Sequence, residues 1–377
     1  MVLVARAGAA VPDRGPSPAP ARRPDLVLLG ASPTPAERVA WVAVTDAWQL
    51  TVVDGDVASG LRPVADRLAG RALGLVLAGG GARAFAHVGV LRELEESGLH
   101  VDRVAGTSIG AIIAALHATG MDGATLEEVC YSEFVRRRPF SDYRLSGRSL
   151  AGGHRVLGAM ERRYGPDAVL EGLPRQLSVV SVDLMSRTRQ VHRRGRLVDA
   201  TLASARLPVL FAPIALDDGR LLVDGGVLDN LPTDLLVERD EGPVVAVTIG
   251  SGGDGPRRPG RPRVPGLADT LMRTMMIGSG GAGDAARARG AWLLGPSSMG
   301  VGLLEFHQLD RMVQSGRAAA RALLEQASGD LGRVGDLPAG VEAEAALDAP
   351  ARAEPLLTAQ SSNGQPSTMP GGRPGSM

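Results

Sequence analysis

A serine flanked by glycines stands at a predicted junction between a strand and a helix. The apolar run at residues 101–105 leads into Gly-Thr-Ser-Ile-Gly at 106–110, and a helical pattern follows over 111–117. Glycines at the flanking positions allow a turn sharp enough to expose the hydroxyl, because larger side chains would collide with the neighbouring backbone. The pattern indicates that Ser108 is a nucleophile for an acyl group, although the same spacing also occurs in ordinary turns.

A second candidate is a glycine-rich loop that follows another apolar run. Residues 73–78 read Leu-Gly-Leu-Val-Leu-Ala, the loop comprises Gly79, Gly80, Gly81, Ala82 and Arg83, and a helix is predicted over 84–96. Consecutive glycines let backbone N–H groups turn outward together, and the start of a helix adds partial positive charge. The loop therefore suits a developing anion.

A carboxylate ends a third short strand. Residues 221–223 read Leu-Leu-Val and lead into Asp224, Gly225 and Gly226, which places an acid at a strand end with two glycines behind it. Each of the three segments also has an ordinary interpretation as turn chemistry. Their occurrence together, in this order, indicates one catalytic apparatus.

The three segments together closely resemble the motifs of the patatin-like phospholipase family, and most of all those of bacterial relatives of neuropathy target esterase. Supporting stretches are Ala-His-Val-Gly-Val-Leu at 86–91, Ala-Ser-Ala-Arg-Leu-Pro at 203–208 and Asp-Asn-Leu-Pro at 229–232. The resemblance covers about residues 73–249. One position departs from the family pattern, because Ala84 stands where the family usually has glycine, and we expect a modest geometric effect.

The resemblance implies a three-layer α/β/α patatin-like fold with a mostly parallel central sheet. It assigns Ser108 as nucleophile and Asp224 as the base, without a histidine, and it places the oxyanion against the N–H groups around Gly80 and Gly81. Arg83 would bind a substrate phosphate or, alternatively, anchor the glycine loop. Supporting roles fall to the other motif residues, which are Gly79, Ala82, Gly106, Gly110, Gly225 and Gly226.

The function implied by the resemblance is that of a serine esterase. It would hydrolyse acyl esters of phospholipids or lysophospholipids through an acyl-enzyme intermediate, with no metal and no cofactor. An acyltransferase that passes the acyl group to an alcohol would use the same Ser108 and stays open, and a non-catalytic scaffold is disfavoured because the dyad residues are present.

A dinucleotide-binding oxidoreductase is a more remote alternative. The positions of Gly79, Gly81 and Ala84 fit the spacing G-x-G-x-x-G/A after a strand. That fold also needs an acid at the end of its second strand to hold the ribose hydroxyls. Here the second predicted strand ends in Gly-Thr-Ser at 106–108, which disfavours this alternative.

Composition excludes several other classes of protein. The chain of 377 residues carries 41 basic and 41 acidic side chains, so a general attraction to nucleic acid is not expected. All basic side chains are arginine, which excludes a Ser-Lys dyad, a Schiff-base lysine and a Walker-type phosphate lysine. Cys130 is the single cysteine, so no intrachain disulfide can form.

Composition and hydrophobic periodicity along the chain predict four consecutive segments. Residues 1–23 are rich in Pro, Ala and Arg and are predicted to be disordered, and residues 24–70 form a small α/β segment. Residues 71–327 form the hydrolase domain, with its motif core at 73–250 and alternating strands and amphipathic helices. The polar, Pro- and Gly-rich tail at 328–377 is predicted to be disordered.

The remaining expectations concern location and partners. Residues 138–174 form either a cap over the site or an irregular surface excursion. No apolar run is long enough to span a bilayer and the N-terminus is a poor signal peptide, so we expect a cytoplasmic protein. Arginine-rich stretches at 136–138, 187–196 and 257–263 suit peripheral contact with the inner face of an anionic membrane, or are simply solvated. A cyclic-nucleotide-binding domain, and regulation through one, are not expected.

Overall fold

Apolar strands that are buried on both faces form the centre of the structure. The computed structural model describes residues 1–12, 23–140, 142–146, 149–249 and 280–327, with the single residues 264, 266, 270, 274 and 277. The strands are β1 Val2–Arg6, β2 Asp25–Leu29, β3 Gln49–Val53, β4 Leu73–Leu77, β5 Val101–Thr107, β6 Tyr143–Ser146, β7 Ser149–Ala151, β8 Gln176–Asp183, β9 Thr188–His192, β10 Ile214–Ala215, β11 Leu221–Asp224, β12 Val244–Val247 and β13 Trp292–Leu294.

Helices alternate with these strands along the chain. They are α1 Pro35–Thr45, α2 Val57–Leu68, α3 Ala86–Glu96, α4 Ile109–Ala118, α5 Gly123–Cys130, α6 His154–Tyr164, α7 Leu197–Ser204, α8 Asp234–Val237, α9 Ala282–Ala288 and α10 Leu309–Gln326. Short 3₁₀ turns lie at Gly81–Phe85, Gly225–Val227 and Phe306–Gln308, and a π-helical turn at Tyr131–Arg136 continues α5.

The main sheet has the order β10-β11-β8-β5-β4-β12-β13, and β9 pairs with β8 beside this path. Strand β8 pairs in parallel with β5, β5 with β4, β4 with β12, and β12 with β13, whereas the pairs that involve β9, β10 or β11 are antiparallel. Every residue of β4 and β12 is buried, as expected of strands covered on both faces. The α/β fold with a mostly parallel central sheet is therefore confirmed.

The register of β8 brings two distant chain segments together. Strand β9 occupies one edge of β8 from Val179 to Asp183. The other edge is shared, since Thr107 at the end of β5 pairs with Val180 and Asp224 at the end of β11 pairs with Ser181. Because Val180 and Ser181 are consecutive, the residue after Thr107 and the carboxylate of Asp224 meet at one point of the sheet.

The prediction of disorder over residues 1–23 is wrong for β1. This strand pairs in parallel with β2, and its alternating side chains Leu3 and Ala5 pack against a small apolar cluster formed by β2, α1 and β3. The alternation of exposed and partly buried residues is that of a strand with one face on the cluster, and it outweighs the local composition. Residues 13–22 lie outside the described residues.

The small α/β segment at 24–70 contributes β2, α1, β3 and α2, and with β1 it forms a three-stranded parallel sheet. Its Trp48 ring contacts two arginines of the hydrolase domain. The guanidinium groups of Arg193 and Arg239 each lie 4.5 Å from the ring centroid. Cation–π contacts of this kind help to hold the segment against the domain.

The stretch at 138–174 is anchored to the core through α6. The carboxylate of Glu133 is 1% exposed and pairs at 2.8 Å with both Arg162 and Arg163 of that helix, while Ala159 and Met160 join the main apolar core. A cap role for this stretch stays a prediction, and residues 141, 147 and 148 lie outside the described residues.

The predicted tail at 328–377 lies outside the described residues, as does most of the stretch 250–279 within the predicted hydrolase domain. Among the helices that are described, none combines the length and the apolar character needed to cross a bilayer.

Candidate active site

Ser108 occupies a strained turn between β5 and α4. Its backbone has φ 57° and ψ −129°, in the left-handed half of the Ramachandran map. A non-glycine residue in that region costs of order 1–3 kcal/mol, and such residues cluster at functional sites. Glycine is required at both flanking positions because neighbouring backbone atoms leave no room for a side chain. A Cβ built on Gly106 would lie 2.8 Å from the backbone N of Ala111, and one on Gly110 would lie 2.3 Å from the carbonyl oxygen of Leu77. The predicted sharp turn is therefore present.

The Ser108 hydroxyl donates a hydrogen bond to the carboxylate of Asp224, with an Oγ to Oδ2 distance of 2.6 Å. The other carboxylate oxygen, Oδ1, accepts a hydrogen bond from the backbone N–H of Gly226 at 2.8 Å. The sequence separation of the pair is 116 residues, so the contact depends on the meeting of β5 and β11 along β8.

The burial of Asp224 changes its acidity. The residue is only 2% exposed. Burial raises the pKa of its carboxyl to about 6, against the opposing effect of the hydrogen bonds from Ser108 and Gly226. At neutral pH the group is therefore mostly ionised, yet it is a stronger base than an aspartate in water. Such a carboxylate suits the removal of a proton from the serine hydroxyl.

The glycine loop is clamped from two sides. On one side, Gly79 N–H donates to Asn230 Oδ1 at 3.0 Å, and Asn230 Nδ2 donates to the Gly79 carbonyl at 3.2 Å. On the other side, Ala82 N–H donates to the carbonyl of Leu303 at 2.8 Å. The loop adjoins the nucleophile, because a Cβ built on Gly79 would lie 3.0 Å from the Ser108 Cβ.

Gly80 and Gly81 lie between these two clamps. Within the described part of the chain, no acceptor is found for the N–H group of either residue. Gly81 has φ +57°, and a Cβ there would lie 2.3 Å from the Leu303 carbonyl oxygen. The loop thus requires glycine at this position and leaves two backbone donors available, which is compatible with the predicted oxyanion role.

Arg83 lies in the interior rather than on an open face of the loop. The residue is 7% exposed, and its Nε donates to the carbonyl of Val301 at 2.6 Å. Of its two predicted roles, this geometry favours anchoring of the loop over contact with a substrate phosphate. The neighbouring Ala82 and Ala84 are fully buried, so small side chains fit where they stand.

The buried histidines are held neutral and bond elsewhere. Burial lowers the pKa of His87 to about 4 and that of His117 to about 3, and their Nε2 atoms lie 2.8 and 3.3 Å from the carbonyls of Ala78 and Val101. His192, with a pKa lowered to about 4 by burial, lies 2.7 Å from Ser181 Oγ. Within the described residues, the hydrogen bonds of Ser108 and Asp224 involve no histidine.

Two residues of the site were not singled out from the sequence. Ser204 Oγ accepts the backbone N–H of Ser108 at 2.8 Å and so supports the strained turn. Asn230 forms the clamp on Gly79. Both lie in the stretches 203–208 and 229–232 that carried the family resemblance, so a signal was available. Leu303 supports the glycine loop through its backbone carbonyl. Every residue has such a carbonyl, so the sequence gives no signal for this contact.

Comparison with known proteins supplies independent findings. A family profile described as patatin-like phospholipase matches residues 75–237. An uncharacterized NTE family protein of Mycobacterium tuberculosis is 35% identical over 334 residues, which cover 82% of this chain and 57% of that protein. A lysophospholipase, nte1, of Aspergillus fumigatus is 30% identical over 314 residues, which cover 74% of this chain and 20% of that protein.

A structural comparison gives a weaker likeness. The crystal structure of VipD from Legionella pneumophila is 15% identical to this chain with a TM-score of 0.40, covering 68% of this chain and 67% of that one. In sequence, the chain spans little more than half the length of the mycobacterial relative and a fifth of the fungal one.

Proposed function

This chain belongs to the patatin-like phospholipase family through residues 75–237, and from this premise we propose that it is a serine esterase that hydrolyses acyl esters of phospholipids or lysophospholipids. The observation that carries the proposal is the 2.6 Å hydrogen bond from Ser108 Oγ to Asp224 Oδ2. A nucleophile within reach of a buried base is the minimal arrangement for covalent acyl transfer.

In the first step, Ser108 Oγ attacks the ester carbonyl carbon while Asp224 Oδ2 accepts the hydroxyl proton. The carbonyl oxygen becomes an oxyanion, for which the N–H groups of Gly80 and Gly81 are the proposed donors. Collapse of this intermediate breaks the bond to the alcohol oxygen, which leaves with the proton held by Asp224. The acyl group remains on Ser108 as an ester.

In the second step, a water molecule attacks the acyl-Ser108 carbonyl. Asp224 accepts a proton from this water, and the same N–H donors stabilise the second oxyanion. Release of the fatty acid returns the proton to Ser108. The raised pKa of Asp224 supports both proton transfers, because a base acts best when its pKa lies close to the working pH.

The proposed substrate class rests on the family and on the named relatives. The fungal relative carries the name lysophospholipase, which supports a lysophospholipid as the first substrate to test. The arginine-rich stretches predicted to contact an anionic membrane belong to this proposal, and so does the cytoplasmic location. Of these stretches, 257–263 lies outside the described residues.

A combined labelling and turnover experiment tests the proposal. A fluorophosphonate probe is expected to modify Ser108, as located by peptide mass spectrometry, and the protein is expected to release fatty acid from a lysophospholipid. Ser108→Ala should abolish both. The matched control is Ser97→Ala, since Ser97 Oγ only donates to the Glu93 carbonyl in the last turn of α3, and it should retain both.

The products decide between hydrolysis and acyl transfer. Glycerol or a lysolipid added as acceptor would yield a new ester if an alcohol intercepts the acyl enzyme. Fatty acid as the main product in the presence of the acceptor supports the hydrolase. Labelling of a residue other than Ser108, or unchanged lysophospholipid turnover in Ser108→Ala, would overturn the proposed mechanism.

A further inference from the structure

Arg189 binds two aspartates that follow the acid motif in the chain. It lies on β9, which pairs with β8. Its Nη1 donates to Asp229 Oδ2 at 2.6 Å and to Asp234 Oδ1 at 2.9 Å, and its Nη2 donates to Asp234 Oδ2 at 2.7 Å. One guanidinium group therefore holds both ends of the segment 229–234.

The segment that Arg189 holds contacts both catalytic loops. The Asp229 carbonyl accepts a hydrogen bond at 3.0 Å from the hydroxyl of Thr107, which directly precedes the nucleophile. The next residue, Asn230, forms the clamp on Gly79, with hydrogen bonds of 3.0 and 3.2 Å. A displacement of residues 229 and 230 would therefore disturb one contact beside the nucleophile and one at the start of the oxyanion loop.

The two aspartates depend on a cation between them. Their side chains are only 20% and 23% exposed. Burial and the neighbouring Asp234 carboxylate raise the pKa of Asp229, and the hydrogen bond from Arg189 opposes both effects. Without the guanidinium, two ionised carboxylates would repel each other across a partly buried space. This repulsion would move Asp229, and with it Asn230, away from the positions that they occupy.

We propose that Arg189 is a positioning residue for the esterase reaction: it fixes Asn230, which in turn holds Gly79 at the start of the glycine loop. The inference rests on the proposed function, because the N–H groups of the next two residues of that loop are the proposed oxyanion donors. Arg189 acts only through this chain of contacts. Both terminal nitrogens of its guanidinium are bonded to carboxylates, and the fork-shaped group suits this double contact as an ammonium group does not.

Steady-state hydrolysis of p-nitrophenyl butyrate by Arg189→Ala tests the proposal. The loop donors meet charge that develops only in the transition state, so kcat should fall about tenfold while KM changes little. Arg189→Lys should have an intermediate kcat, because an ammonium group supplies the charge without the fork that reaches both aspartates. Circular dichroism verifies the fold, and Arg189→Lys takes the place of Arg189→Ala in every comparison if the alanine variant does not fold.

A double-variant cycle tests the route through Asn230. Asn230→Ala removes the clamp itself, so adding Arg189→Ala should lower kcat little further, because the two residues act in one chain of contacts. Arg289→Ala is the matched control and should keep the parent kcat. Arg289 lines the same cavity of about 350 Å³ as Arg189, but its Nη1 donates to the Ala285 carbonyl at 3.2 Å and, among the described contacts, to neither aspartate.

Added guanidinium gives a readout that a general loss of stability would not produce. The Arg189 side chain is 33% exposed beside this cavity, so a small cation can enter the space that Arg189→Ala leaves. Guanidinium chloride, far below the concentration that unfolds the parent, should restore part of the lost kcat. Urea at the same concentration has a similar shape but no charge, and it should not.

The outcomes separate this proposal from the function it rests on. With an active parent, an unchanged kcat in Arg189→Ala, losses that multiply in the double variant, or no greater recovery with guanidinium than with urea would each overturn the positioning role and leave the esterase intact. Parent protein that neither hydrolyses the ester nor is labelled at Ser108 would overturn the proposed function itself.

Discussion

Replacing the catalytic carboxylate should stabilise the protein while it stops the reaction. Burial raises the pKa of Asp224 from 3.8 to about 6, so the folded state holds this proton more tightly than the unfolded chain does. Because a pKa change of one corresponds to about 1.36 kcal/mol, the ionised carboxylate costs the fold about 3 kcal/mol. Asp224→Asn removes that cost and keeps the shape of the side chain.

The sign of the effect follows from proton linkage. The stabilising preference for the protonated carboxyl is fully present below pH 3.8 and is lost as the pH rises through 6. The advantage of Asp224→Asn over the parent should therefore be near zero in strong acid, about half complete at pH 5, and close to 3 kcal/mol at pH 8.

Urea unfolding followed by circular dichroism at pH 5 and pH 8 measures the effect. Asp183→Asn is the control, because hydrogen bonds from Ser186 and Leu221 lower the pKa of Asp183 to about 2. The free energy of unfolding of Asp183→Asn should be lower than that of the parent by the same amount at pH 5 and pH 8. Both pH values lie above the pKa of Asp183 in the folded and in the unfolded chain. Asp224→Asn that is no more stable than the parent at pH 8, or that gains equally at both pH values, would refute the reasoning.

Two substitutions in the glycine loop and its clamp give further predictions. Gly81→Ala should lower kcat by about 10²-fold or more, because its Cβ would meet the Leu303 carbonyl oxygen at 2.3 Å. The control Gly281→Ala, at φ −100° and with nothing within 4 Å of the added Cβ, should keep parent turnover; equal kcat for both would contradict the loop's role. Asn230→Asp cannot donate to the Gly79 carbonyl, so steady-state kinetics should show kcat reduced about tenfold with KM little changed; parent kcat would contradict the clamp.

The strands and turns of the site could be predicted from local sequence. Ser108 and Asp224 stand out because glycines flank or follow them. Glycines at such positions indicate that another backbone segment approaches closely. The apolar runs that became β4, β5, β8 and β12 were also predictable, because strands buried on both faces are apolar throughout. The helix predicted over 111–117 after Ser108 is present as α4, Ile109–Ala118.

The contacts that complete the site could not be predicted in the same way. The sharing of one edge of β8 by β5 and β11 is a tertiary pairing, and nothing local to either strand specifies it. The Leu303 carbonyl that fixes the glycine loop is a backbone group common to every residue. The strand β1 was missed because five alternating residues lie inside a segment whose overall composition is typical of disorder.

The contacts among Phe85, Phe134 and Phe306 could not be predicted for a related reason. Their sequence positions follow no periodicity, since each lies on a different element or loop. Only the packing of the glycine-loop turn, the π-helical turn after α5 and the 3₁₀ turn before α10 brings Phe85, Phe134 and Phe306 into contact.

The central claim is that Asp224 takes the proton from Ser108, and the rate of Ser108 phosphonylation as a function of pH tests it most directly. For the parent, the rate constant for modification by a fluorophosphonate should be level above pH 7 and fall tenfold per pH unit below about pH 6, where Asp224 becomes protonated. Asp224→Asn should react slowly at every pH, with no inflection near 6. Reaction of Asp224→Asn at the parent rate, or an unchanged inflection in that variant, would show that another group serves the serine.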